Sequence, residues 1–141
     1  MRVVLDVNVI VSSLISSGTT AAVLDAWLVE QSYEPIVCPT LLLELEAVLF
    51  RPKFALVDRT TRVLLLERLR REAEFWADPA VVAGETRDPE DDYLVALARE
   101  SGADVLVSGD SDLTQSRLEG VAVLVPAAFL DLLKSEDNRS S

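Results

Sequence analysis

The chain has 141 residues, half of them hydrophobic and 26% charged, which fits one folded domain and excludes a disordered chain. It holds no histidine and one cysteine, Cys38, so a Ser-His-Asp triad, a Cys-His pair, His-ligated zinc and an intrachain disulfide are ruled out. The net charge is −11, from 24 acidic and 13 basic residues, so a polyanionic partner has to be met locally or through a metal ion rather than by bulk charge.

Arg2 to Leu5 is a short apolar run ending at Asp6, a first strand. Ser16-Ser17-Gly18-Thr19 is a loop, and Val23, Leu24, Trp27 and Leu28 then recur at helical spacing. Pro35-Ile36-Val37-Cys38-Pro39 is a strand candidate bracketed by prolines. Thr40 can cap a helix bearing Leu41, Leu42, Leu45, Val48 and Leu49, which Arg51-Pro52-Lys53 breaks. Asp58 to Trp76 reads as a longer helix with Leu65, Leu69, Ala73 and Trp76 on one side. Asp88 and Pro89 supply the N-cap and first position of another, which carries Leu94, Val95 and Ala98 inward and ends near Gly102. Asp104 to Val107 and Val121 to Val125 are apolar strands, and Pro126 opens a last helix through Leu133.

Strands that are apolar throughout are buried on both faces, and helices between them imply parallel strands joined by crossovers. The expectation is a three-layer α/β domain with a small parallel sheet over residues 1–134, followed by a flexible polar tail, 135–141. No apolar run approaches the roughly 20 residues of a membrane span. The opening segment reaches Asp6 too soon for a signal peptide, and a cytoplasmic protein is the simplest reading of the lone cysteine.

Ligands of open parallel sheets bind outside the carboxyl ends of the strands. Asp6 ends the first strand, and Asp110 follows Val105-Leu106-Val107 through Ser108-Gly109. Each alone suits a turn or a cap; the pair is more telling, because unrelated caps need not converge on one crevice. The cluster Asp88, Glu90, Asp91 and Asp92 complements a helix dipole, by roughly 0.3–1 kcal/mol for each acid. At about 100° per residue, Asp91 falls in the middle of the buried stripe, and Asp92 at its edge is the fallback. Glu44 and Glu46 lie on opposite margins of their helix's apolar stripe, and periodicity does not choose between them. Two carboxylates ~5 Å apart repel by roughly 3 kcal/mol at an effective dielectric of 20, so a shared crevice needs protons, a basic side chain or a cation. Without histidine, an all-oxygen site suits Mg²⁺ or Mn²⁺ and a phosphodiester substrate.

Four segments carry a resemblance: Val3-Val4-Leu5-Asp6-Val7-Asn8-Val9, Glu44 to Phe54, Arg87 to Leu94, and Val105 to Leu113. In this order they resemble the PIN domain, in its small prokaryotic branch of toxins from toxin–antitoxin pairs, over roughly residues 1 to 130. The resemblance implies a Rossmann-like sheet and a metal-dependent ribonuclease using Mg²⁺ or Mn²⁺. It places the catalytic and metal-binding acids at Asp6, Glu44, Asp91 and Asp110, with Asp112 an additional acid. It selects Glu44 over Glu46 and implies that Asn8 and Ser108 hold the acids by hydrogen bonds. It also implies a homodimer and a small antitoxin partner.

Seven of the 13 basic residues, Arg51, Lys53, Arg59, Arg62, Arg68, Arg70 and Arg71, fall between positions 51 and 71. They form either a solvated helix face balanced by Glu67, Glu72 and Glu74 or an RNA-phosphate track, with Arg51, Lys53, Arg68 and Arg70 as the contacts. Val63-Leu64-Leu65-Leu66 is apolar nearly all round, so one side suits another chain or simple burial. A haloacid-dehalogenase-like phosphatase with Asp6 as nucleophile is one rival, but it wants an acid at Asn8 and a lysine deep in the domain. A receiver-like signalling module wants a lysine after the last strand, and Lys134 stands too late. An inactive PIN-like scaffold is a third.

Overall fold

The computed structural model describes residues 1–55, 57–80, 91–110, 113–114 and 120–140. Their strands are β1 (Arg2–Leu5), β2 (Glu34–Val37), β3 (Glu74–Phe75), β4 (Val105–Val107) and β5 (Val123–Leu124). All pair in parallel, in the order β3-β2-β1-β4-β5. Val3, Val4 and Leu5 face Val105, Leu106 and Val107 in register, and all six are buried. This central pair is the apolar floor that two-sided burial requires.

The helices are α1 (Val7–Ile15), α2 (Thr19–Leu28), α3 (Pro39–Leu49), α4 (Arg59–Glu72), α5 (Asp92–Ser101) and α6 (Pro126–Ser140). α1, α2 and α6 pack together, α3 lies against α1 and α4, and α5 lies on β1 and β4. Phe129 of α6 is fully buried and meets the Tyr33 ring edge-on at 5.1 Å, while the Tyr33 hydroxyl donates to Val23 O at 2.7 Å. Gly102 ends α5 in the left-handed conformation, φ 68°, where a side chain would be strained. No single helix among the described residues is long and apolar enough to cross a membrane.

Several elements differ from the pattern reading. The run Val7-Asn8-Val9-Ile10-Val11 has strand propensity, yet it forms α1, because Asp6 caps it and four of its valines and isoleucines enter the core. α3 starts at Pro39 with Cys38 as N-cap, and the Thr40 N–H donates instead to Asp78 Oδ1 at 2.8 Å. α4 stops at Glu72, with Asp58 as its N-cap; Glu74 and Phe75, expected inside the helix, form β3 beside Ile36 and Val37. Two residues are too few to show an alternation. The expected start of the next helix, Asp88 and Pro89, lies outside the described residues, and the described helix opens at Asp92. α6 runs past Leu133 as far as Ser140, over most of the expected polar tail.

The chain steps outward from β1 to β2 and β3, then returns to β4 and β5 on the other side of β1. The direction of winding therefore reverses between β1 and β4, which opens a crevice at their carboxyl ends.

Candidate functional site

Asp6 sits at that crevice, one residue beyond β1 and at the N-cap of α1. Its backbone N–H donates to Val107 O at 2.9 Å, so the central strand pair fixes its position. Its side chain accepts from the Asn8 backbone N–H at 3.1 Å and from Ser108 Oγ at 2.9 Å. Ser108 Oγ also accepts from the Asp110 N–H at 3.0 Å, so one buried hydroxyl links the two acids. Asp6 is 4% exposed. Burial raises its pKa above the ordinary carboxyl value, the Asp110 charge raises it further, and the bonds from Asn8 and Ser108 oppose the shift. Asn8 itself is exposed, so its hold on Asp6 is a backbone bond that most residue types could make.

A cleft of about 390 Å³ opens beside this pair, with Asn8, Ser12 and Thr20 on its other walls and, among the described residues, no basic side chain in its lining. Glu44 reaches a second cleft, of about 290 Å³, with Thr40, Arg51 and Tyr93. The Tyr93 hydroxyl donates to Glu44 Oε2 at 2.6 Å. Burial, then the bond to Glu44, then the charges of Glu44, Cys38 and Asp6 push the Tyr93 hydroxyl far above the usual phenol range. Tyr93 thus stands within electrostatic reach of both acids. Sequence spacing does not reveal this contact, because it joins residues 49 apart on different helices.

Asp91 is the N-cap residue of α5, half-buried and without a side-chain cap bond, whereas Asp92 in the first turn is 2% exposed. The helical wheel expected the reverse. It fails because Asp92 through Ala98 are all buried, which leaves no narrow stripe to aim from. Asp112 lies outside the described residues. Among the basic candidates, Arg51 precedes and Lys53 lies within the short 3₁₀ turn Pro52–Phe54; both are exposed, and Arg51 lines the Glu44 cleft. Arg68 pairs with Glu72 at 2.5 Å and lies over the Trp27 ring at 5.1 Å. It borders a cleft with Met1 and Glu34, at the amino ends of β1 and β2, away from Asp6. Arg70 pairs with Glu46 at 3.1 Å.

The Cys38 thiol is fully buried and pushed up to about 11 by that burial, which removes thiolate chemistry. Lys134, the lysine after the last strand, lines a separate cleft with Glu30 and Asp137. Among the described residues, no three acidic or cysteine side chains come close enough to hold a metal ion together. The crevice brings together Asp6 and Asp110 through Ser108; Glu44 lies in the second cleft, bonded to Tyr93, and Asp91 and Asp92 stand at the start of the same helix as Tyr93. Mg²⁺ binds through one or two carboxylates, keeping waters and taking substrate phosphates for the rest. The all-oxygen cleft beside a buried carboxylate fits such an ion.

A family model described as PIN domain matches residues 2–112. Among solved structures, the chain is similar to FitAcB from Neisseria gonorrhoeae, with a TM-score of 0.55 and 19% identity, over 89% of this chain and 98% of that one. It is similar to VapBC2 from Rickettsia felis bound to a DNA fragment from their promoter, with a TM-score of 0.59 and 15% identity, over 89% and 98%. FitAB bound to an IR36 DNA fragment follows, with a TM-score of 0.54 and 20% identity, over 88% and 94%. At these identities the likeness is one of fold. No curated protein matches the chain.

Proposed function

The chain belongs to the PIN-domain family, and from that premise we propose that it is a Mg²⁺- or Mn²⁺-dependent endoribonuclease, acting in the cytoplasm as the toxin of a toxin–antitoxin pair. The observation that carries this reading is Asp6: a carboxylate oriented by Ser108 and raised in pKa by its burial, and less by its neighbour Asp110, at the switch point of a parallel sheet. A buried carboxylate beside a second acid, in a cleft open to solvent, favours a cation there.

In this reading Asp6 and Asp110 hold the ion. Glu44 and an acid from the start of α5 complete the acidic ring, with Asp112 an added acid. Asp92 is assigned ahead of Asp91 because it is the buried member of the pair. When bound, the divalent ion supplies a deprotonated water and stabilises the leaving oxygen of an in-line displacement. Ser108 keeps the Asp6 carboxylate facing one way, and the Asn8, Ser12 and Thr20 walls receive the scissile phosphate. Arg51 and Lys53 take the neighbouring RNA phosphates. Arg68 and Arg70 would have to leave their carboxylate partners to do so.

An antitoxin that carries the DNA contact fits a chain of net charge −11, which is repelled by DNA by itself. Leu43 and Leu64, 67% and 57% exposed on α3 and α4, support a homodimer.

The test is cleavage of single-stranded RNA by the purified chain. Mg²⁺ or Mn²⁺ supports cleavage, EDTA abolishes it, and Asp6→Asn is inactive while folded. Full activity in EDTA overturns the metal mechanism. A folded wild type with no activity on any RNA supports the inactive scaffold instead.

A further inference from the structure

We propose that Tyr93 is a positioning residue, whose phenolic hydrogen bond holds the Glu44 carboxylate at the metal centre and ties α3 to the first turn of α5. The proposal rests on the reading of Glu44 as a metal-binding acid. Glu44 is half-buried at the margin of α3, between exposed Leu43 and buried Leu45, and its side chain has three torsions to fix. Tyr93 is 7% exposed, and its ring stands on a helix buried from Asp92 to Ala98, so the donor has little freedom. The bond is 2.6 Å, short enough for a hydroxyl held against a carboxylate. Tyr93 follows Asp92 directly, so the same turn that sets the α5 carboxylates also sets the donor to Glu44. Outer partners of this kind orient metal-binding carboxylates, and losing one weakens metal affinity by about 10- to 100-fold.

The test uses the metal-free full chain and Mn²⁺ alone as the probe, by titration calorimetry. Tyr93→Phe keeps the ring and removes one oxygen. Its expected Mn²⁺ affinity is about tenfold weaker, with an unchanged melting temperature in EDTA. RNA cleavage by this variant recovers towards the wild-type kcat when Mn²⁺ is raised, while KM for RNA stays put. A hydroxyl that serves packing alone predicts the opposite: a lower melting temperature and an unchanged Mn²⁺ affinity. Glu44→Gln separates the two readings. If it weakens Mn²⁺ binding and Tyr93→Phe does not, the positioning role is overturned while the role of Glu44 stands. If neither variant changes Mn²⁺ binding, Glu44 is no metal residue and both fail. The double variant is expected to bind Mn²⁺ no more weakly than Glu44→Gln; additive losses overturn the proposal.

Discussion

Asp6 costs the metal-free fold something, since a carboxylate is held out of water beside a second acid. Its pKa is raised in the folded chain, so its favourable contribution is complete where it is protonated in both states. That contribution is lost as pH rises from the ordinary value of 3.8 through the raised one. Asp6→Asn keeps the cap and removes the charge. In EDTA at neutral pH the variant is therefore expected to melt above wild type, with the gap closing on acidification below pH 3.8; a lower melting temperature at neutral pH contradicts this. Ser108→Ala removes the buried donor to Asp6 and the acceptor of the Asp110 N–H, for an expected loss of about 1–3 kcal/mol in urea unfolding. The placing of Asp6 and Asp110 at one crevice was legible in the sequence because strand ends in a parallel sheet locate ligands without side-chain detail, whereas the role of Ser108 came from the family resemblance. Tyr93 was not legible, since a phenol at an apolar helical position reads as core. The burial order of Asp91 and Asp92 was misread for a related reason: a wheel assumes one buried face, and α5 is buried across its first two turns.

At the scale of elements, the strands β1, β2, β4 and β5 were legible because continuous apolar runs of three to five residues have few other uses in a chain of this composition. β3 was hidden, since its two residues continue the apparent periodicity of α4 and their strand state comes from pairing with β2. α1 was hidden by its β-branched residues, where burial and the Asp6 cap outweigh propensity. The basic stretch shows the same limit. Sequence spacing grouped its arginines, but the structure sends Arg51 to the Glu44 cleft and Arg68 to the amino end of the sheet. Arg51→Glu is accordingly expected to weaken single-stranded RNA binding several-fold and to lower the salt slope by about 0.7, the share of a single phosphate on a single strand. Arg68→Glu leaves both unchanged. An equal effect from the two variants, measured by fluorescence anisotropy across a salt series, would restore the continuous basic track.

For the whole molecule, the proposed action on RNA requires an acidic chain to offset its own field where the two meet, and the crevice between β1 and β4 is where the fold concentrates that problem. An ion bound there only in the folded state stabilises it. At 100 times its dissociation constant, Mn²⁺ is expected to add about 2.7 kcal/mol, read as a rise in melting temperature that EDTA reverses and that Asp6→Asn loses. The fold class was visible early because alternating apolar strands and helices allow few other arrangements, whereas the second cleft depends on side chains meeting across α3 and α5. The most direct measurement is anomalous diffraction from crystals of the protein grown with Mn²⁺. The account predicts a peak about 2.1 Å from a carboxylate oxygen of both Asp6 and Asp110. A chain that cleaves RNA with no Mn²⁺ at that pair, or with the ion bound elsewhere, contradicts it.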